Sequence, residues 1–293
     1  MKKVIVIVGP TASGKTKLSI DLAQKIGAEI INGDSVQIYR KLNIGSAKIK
    51  EDEKKGVKHH LFDVIEPSEN YTVYRFQKDV RTLIQNIDVP MIVGGTGLYI
   101  KAALYDYEFE DEPKKNDYNN LYQDLTSEQI YDKLLNLDPD INIDINNRRR
   151  LIRALELAEL GQFRSKKTNK DKLLYDACVI YLDLDRSVLE HRLKLRLEKQ
   201  IEDGFIEEVM SLRKDHIHIN AIGYREIDMY LDQKIDLNTM KSQIIKKSKQ
   251  LAKKQKTWFK NQMQVHMIDA LDENVSEKAY DIVTHFLQDK EVT

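Results

Sequence analysis

The sequence predicts an α/β fold: a parallel sheet flanked by helices and carrying a small helical insert. Three observations predict it. Val4 to Val8 is an unbroken β-branched run, the pattern of a strand buried on both faces of a parallel sheet. Gly9-Pro-Thr-Ala-Ser-Gly-Lys-Thr16 follows at once and fits the P-loop pattern G-x-x-x-x-G-K-[ST]. Leu18, Leu22 and Ile26 then step by four, as on one face of a helix. Strand, glycine loop and helix in that order give the motif its meaning, so the sheet is P-loop NTPase-like.

The loop's chemistry follows from its residue types. Gly9 and Gly14 let backbone N–H groups close around phosphate oxygens. Lys15 adds a point charge, and Thr16 offers a hydroxyl to a magnesium ion, Mg2+. The N-terminus of the helix adds its positive end. A di- or triphosphate is implied, but not the molecule that bears it.

Bulk properties narrow the class. Lysine plus arginine equals aspartate plus glutamate, 47 each among 293 residues, so any basic surface must be local. The one cysteine, Cys178, excludes an internal disulfide and a cysteine zinc cluster. No apolar run approaches the roughly 18 residues of a membrane span. The N-terminus runs straight into the first strand, with no room for a signal peptide, so a cytoplasmic protein is expected.

The second strand, from Glu29, ends in Asp34 and Ser35, with Gln37 and Arg40 behind them. In open parallel sheets ligands gather beyond the carboxyl ends of strands. Asp34 therefore qualifies as a general base, as a magnesium ligand or as the cap of a turn. His59 and His60 are adjacent and point to opposite sides of a strand, which suits hydrogen bonding better than joint metal binding. The third clear strand, Val89 to Val93, closes in Gly94-Gly-Thr96, where many P-loop NTPases carry a magnesium-binding aspartate. Glycines there permit close approach of a ligand to the backbone. Thr96 presents a hydroxyl instead of a carboxylate, which argues against an ordinary ATPase.

At this point the chain resembles the tRNA dimethylallyltransferase family, also called tRNA isopentenylpyrophosphate transferases. The resemblance rests on the P-loop, Asp34-Ser-Val-Gln-Ile-Tyr-Arg40, Ile44-Gly-Ser-Ala-Lys48, His59-His-Leu61 and Gly94-Gly-Thr-Gly-Leu-Tyr99. It continues in Arg150-Leu-Ile-Arg-Ala-Leu-Glu156, Ile222-Gly-Tyr-Arg-Glu226 and Lys253-Lys-Gln-Lys-Thr-Trp-Phe259. The resemblance implies that Gly9, Pro10, Thr11, Ala12, Ser13, Gly14, Lys15 and Thr16 hold the diphosphate of dimethylallyl diphosphate, with Arg196 beside it. The acceptor would be the exocyclic amine of the adenosine 3′ of a tRNA anticodon. Asp34 would be the base and Thr96 would orient reacting groups. Asp34, Ser35, Val36 and Gln37 would contact the target nucleotide, together with Thr96.

Residues 101 to 170 change character. The stretch Tyr105 to Tyr122 is acidic and aromatic without a sustained period. Thr126-Ser-Glu128 looks like a helix start, with Ile130, Leu134 and Leu135 behind it, and Asp138-Pro139 as its end. A second helix opens at Asn146, Asn147, Arg148, Arg149 and Arg150. The family's insert here grips the anticodon stem-loop, and these five residues are the expected tRNA contacts. Asn147 stands where the family has Asp. Four arginines within six residues favour phosphate contact. Asn169-Lys-Asp171 nearly matches a guanine-reading motif, but its aspartate is one place early.

Ala177 to Leu184 returns to the sheet. Ser187 to Arg213 is one long helix, or two meeting near Gly204, with Leu189, Leu193, Leu197 and Ile201 as the core stripe. Arg192 and Arg196 recur beside that stripe, where nucleotide kinases place arginines over phosphates. Met240 to Met263 reads as a helix with eight lysines and no acidic residue. Lys246, Lys249, Lys253, Lys256 and Lys260 form one stripe, and Lys249, Lys253 and Lys256 are expected at the tRNA backbone. The expected organisation is a first core part, 1–104, a helical tRNA-binding insert, 105–170, and a second core part with the basic helix, 171–293. The reading is a monomeric tRNA prenyltransferase. A P-loop small-molecule kinase using ATP, a nucleotide-gated RNA binder and an adenylate prenyltransferase are the alternatives.

Overall fold

The computed structural model describes residues 1–107, 109, 121–166 and 172–289. The chain falls into two compact units, residues 1–104 with 173–293, and residues 105–172.

The first unit is built on six strands: β1 (Lys3–Val8), β2 (Glu29–Gly33), β3 (His59–His60), β4 (Pro90–Gly94), β5 (Asp176–Asp183) and β6 (His266–Asp269). They lie in the order β3-β2-β4-β1-β5-β6, and every pairing is parallel. β1 is central, with Val8 level with Gly94 on one side and Tyr181 on the other. Its run Val4–Val8 is wholly buried, as a strand covered on both faces demands.

Helices α1 (Lys15–Ile26) and α10 (Val275–Gln288) supply the cover on one face. Leu18 and Leu22 of α1, with Ala279 and Val283 of α10, pack on Ile5, Ile7, Cys178 and Ile180. The Cys178 thiol is pushed up to about 11, chiefly by burial, so it stays protonated and packs as a small apolar group. Alternation sends Tyr181 to the opposite face, where its ring meets Phe259 at 5.9 Å. Phe259 belongs to the long helix α9 (Leu237–Gln262), entered through an Asp236 cap. Helices α2 (Val73–Asn86) and α3 (Gly97–Leu104) join through Phe76 and Tyr99, whose rings are 4.7 Å apart.

The remaining helices of this unit are α6 (Arg186–Glu202), α7 (Phe205–Lys214) and α8 (Tyr224–Leu231). Of the two arrangements expected here, the structure has two helices meeting at Gly204. Leu189, Leu193 and Leu197 are buried as the stripe requires, in a cluster with Phe205, Tyr224 and Ile244.

The second unit holds α4 (Ser127–Leu137) and α5 (Arg148–Glu159). Thr126 and Gln129 form a reciprocal capping box at the start of α4. Ile130 and Leu134 of α4 meet Leu151 and Leu155 of α5 around Tyr122. Residues 110–120 of the acidic stretch, and Asn169, Lys170 and Asp171, lie outside the described residues.

Candidate active site

The carboxyl ends of β1, β2 and β4 bring the predicted groups together. Gly9 to Thr16 turns from β1 into α1, and Gly14 sits at the helix N-cap with φ 93°. Lys15 Nζ donates to the Pro10 carbonyl at 2.6 Å, folding its ammonium over the loop. Its pKa falls from the ordinary 10.5 to about 8, first through burial and then through Arg196, while Asp34 pulls it back up. Arg196 Nη1 donates to Thr11 Oγ1 at 2.8 Å, and Arg192 Nη1 to the Ala12 carbonyl at 3.1 Å. Both arginines come from α6, so the loop is roofed by two guanidinium groups one turn apart. Ser13 Oγ is buried without a hydrogen-bond partner among the described residues, a donor that a phosphate oxygen would satisfy.

Asp34 leaves β2 in a tight turn. Its N–H donates to Asn32 Oδ1 at 2.9 Å, and Asn32 Nδ2 donates back to the Asp34 carbonyl at 3.1 Å. Asn32 is itself buried in the sheet, so it holds Asp34 by the main chain. Asp34 Oδ1 accepts from the Val36 N–H at 2.8 Å, which is the capping role foreseen among three. That bond occupies one carboxylate oxygen and leaves the other for chemistry. Thr96 faces the same turn: its Oγ1 accepts from the Ser35 N–H at 3.1 Å and donates to Ser35 Oγ at 3.3 Å. Thr96 is thus hydrogen-bonded to the residue that follows Asp34, and the two groups come from the ends of adjacent strands. Gln37 Nε2 donates to the Ser46 and Ala47 carbonyls at 3.0 and 3.3 Å.

The glycines at the end of β4 have close neighbours within the chain. A Cβ on Gly94 would come within 2.2 Å of the Gly33 backbone, and one on Gly95 within 2.5 Å of Gln255 Nε2. The backbone contact requires glycine at 94, whereas the neighbour of Gly95 is the end of a flexible side chain.

The basic helix α9 borders a cleft of about 1260 Å³ that reaches Pro10. Lys246, Lys249, Lys253 and Lys256 line it together, so most of the stripe shares one side. Two of these cations meet acids there: Lys249 pairs with Glu190, and Lys256 with Asp183 at 2.6 Å. Lys253 is exposed and has no partner among the described residues. Asp183, at the end of β5 beside the loop strand, carries a signal the sequence reading passed over. It is a carboxylate closing a buried apolar run, at the same sheet edge as Asp34.

In the second unit, Asn147 caps α5 by accepting from the Arg150 N–H at 3.2 Å. Arg148 is turned inward, donating to the Leu125 and Tyr122 carbonyls at 2.7 Å each. Arg149 and Arg150 are exposed, Asn146 donates to Asp144, and Arg153 pairs with Glu156 at 2.8 Å.

Among the described residues no group of three His, Cys, Asp or Glu side chains could hold a metal ion by itself. Thr16 Oγ1 fits a single protein ligand of a magnesium ion whose other ligands are phosphate oxygens and water. No helix among the described residues is long and apolar enough to cross a membrane.

A phosphate loop roofed by arginines, with a carboxylate and a hydroxyl opposite it, defines a P-loop transferase and not the usual metal-carboxylate ATPase. Residues 37–262 match the family model described as IPP transferase, and residues 2–67 one described as isopentenyl transferase. A tRNA dimethylallyltransferase of Acholeplasma laidlawii (strain PG-8A) is 51% identical, covering 98% of this chain and 99% of its own. The full-length tRNA isopentenylpyrophosphate transferase of Bacillus halodurans aligns with a TM-score of 0.77 at 35% identity, over 98% of this chain and 97% of that one. A eukaryotic dimethylallyltransferase acting on tRNA aligns at 0.84 with 27% identity, over 98% and 80%. The chain belongs to the tRNA dimethylallyltransferase family.

Proposed function

We propose that the chain transfers a dimethylallyl group from dimethylallyl diphosphate to the exocyclic amine of the adenosine 3′ of a tRNA anticodon. The bond from the amine nitrogen to the allylic carbon forms as the bond from that carbon to the diphosphate oxygen breaks. Asp34 takes a proton from the amine. The diphosphate stays with the Gly9–Thr16 loop, Lys15 and Arg196. Magnesium held by Thr16 would neutralise part of its charge. Thr96 orients the turn that carries Asp34 and Ser35.

The observation that supports this reading best is the pairing of two half-sites at one sheet edge. Val8 and Gly33 are both level with Gly94, so the phosphate loop and the turn that carries Asp34 leave the sheet at the same edge. The amine of a stacked adenine is hidden, so the base must leave the stack, at a cost of about a few kcal/mol. Exposed cations, Lys253 in the first unit and Arg149 and Arg150 in the second, are suited to tRNA phosphates. The reading takes the chain to act as a monomer in the cytoplasm.

The test is transfer of labelled dimethylallyl groups to bulk tRNA, followed by mapping of the modified base. Label at the adenosine 3′ of the anticodon is expected. Label on free AMP but not on tRNA would mean an adenylate prenyltransferase. ATP-dependent phosphorylation of a small molecule without RNA would mean a kinase.

A further inference from the structure

Between β2 and β3 the chain passes through Leu42-Asn-Ile-Gly-Ser-Ala-Lys48. Three successive backbone N–H groups of this segment converge on one carboxylate. Asn43 and Ile44 donate to Glu208 Oε2 at 2.9 and 2.7 Å, and Gly45 donates to Glu208 Oε1 at 3.0 Å. Consecutive N–H groups turned to one anion form a nest, and here the anion is a side chain of α7. The Tyr224 hydroxyl of α8 donates to the same Oε1 at 2.7 Å. Burial, then Glu208 and Asp34, push the Tyr224 phenol far above its ordinary value, so it remains a donor. From α6, Gln200 Nε2 donates to the Ile44 and Gly45 carbonyls at 2.6 and 3.2 Å. Gly45 lies so close that a Cβ would stand 2.1 Å from Phe205 Cε2. Three helices therefore seat this segment, and Glu208 supplies more of the bonds than any other side chain.

What the segment carries is the orientation of Gln37. The Gln37 amide donates to two main-chain carbonyls, Ser46 and Ala47. Both partners accept only, so the NH2 must face them, and a flipped amide would lose both bonds. Gln37 Oε1 is left as a hydrogen-bond acceptor that is neither paired among the described residues nor sealed from solvent. Adenine carries an amine donor at the position where guanine carries a carbonyl acceptor. An acceptor held in place therefore suits adenine.

We infer that Glu208 is a positioning residue: by gripping Asn43 to Gly45 it fixes the carbonyls that turn the Gln37 acceptor outward, toward the amine of the target base. The functional half rests on the transfer reaction proposed above, and the positional half stands without it.

Glu208→Gln tests both halves, because the new amide NH2 meets N–H donors and the nest loses its anion. A melting curve first establishes that the variant folds. NMR exchange of the Gln37 side-chain amide is expected to quicken roughly tenfold, a scale set by the net worth of one hydrogen bond. Single-turnover transfer at saturating tRNA should fall by about the same factor. Affinity for dimethylallyl diphosphate should not move, because the phosphate loop is untouched. Combined with Gln37→Ala, the double variant should transfer no more slowly than Gln37→Ala alone. Unchanged Gln37 exchange in folded Glu208→Gln overturns the positional half. Fully additive losses overturn the functional half. If Glu208→Gln does not fold, Tyr224→Phe removes one donor from the carboxylate and should shift Gln37 exchange in the same direction. Should the native protein transfer nothing to tRNA, the proposed function falls, and Gln37 exchange still decides the link to Glu208.

Discussion

Affinity for the allylic diphosphate should collapse between pH 8 and pH 9.5, and Lys15 is the reason. Burial lowers its pKa most, and Arg196 lowers it further, with Asp34 opposing, to about 8. A bound diphosphate needs the ammonium form and restores its ordinary pKa by charge attraction. The unliganded protein must therefore take up a proton on binding once the pH exceeds about 8. One lysine titrating at about 8 is about one-eleventh protonated at pH 9, so affinity should fall about tenfold there and about thirtyfold at pH 9.5. Isothermal titration with dimethylallyl diphosphate in two buffers of different ionisation enthalpy reads both quantities. Proton uptake should approach about one per diphosphate at the upper end. The sign for folding is opposite. Between about 8 and the ordinary 10.5 the unfolded chain binds more protons than the native one, so the unliganded fold should gain stability as pH rises through that window. Lys15→Met should abolish both effects. Affinity flat from pH 7.5 to 9.5, with no proton uptake, would refute the reasoning.

Three further outcomes follow from the structure. Asp34→Asn keeps the acceptor that caps Val36 but removes basicity, so single-turnover transfer should drop about 10²–10⁴-fold with the melting temperature and diphosphate affinity retained; loss of diphosphate affinity rescued by magnesium would instead make Asp34 a metal ligand. Lys253→Ala should weaken all tRNAs alike and flatten the salt dependence of log K by about 0.7–0.9. Lys249→Ala and Lys256→Ala should each flatten it less, because Glu190 and Asp183 already hold those cations. Phe259→Ala empties a wholly buried site under Tyr181 and should cost about 3–5 kcal/mol in denaturant unfolding.

The parts of the molecule visible in its sequence are those where one local pattern suffices. The β1 run, the P-loop and the first turns of α1 lie within 26 residues and needed no partner to be recognised. The Thr126 start of α4 was equally local, because a capping box closes within four residues. What was missed depends on distant chain. The sequence put His59 and His60 on a strand, but did not show that this two-residue strand pairs with β2. β6 is four residues long and mostly exposed, so it shows no apolar run. Helices α2 and α10 did carry readable signals. Phe76, Val80 and Ile84 step by four behind the Thr72 cap, and Ala279 and Val283 repeat the same step.

The site divides in the same way. Strand-end position and the family resemblance together placed Asp34, Thr96 and Lys15 at one site. They could not say how the charges would be shared out. Lys249 and Lys256 read as free cations on a helix with no acid of its own, yet Glu190 and Asp183 reach them from other elements. Arg148 read as a phosphate ligand, and the carbonyls of Leu125 and Tyr122 claim its guanidinium. A charge run in one helix fixes only what that helix offers. Whether the offer meets solvent, RNA or a carboxylate is decided by residues far away in sequence. Lys246 and Lys253 among the cleft lysines, and Arg149 and Arg150 on α5, are exposed cations without a partner among the described residues, and an RNA backbone should engage them first.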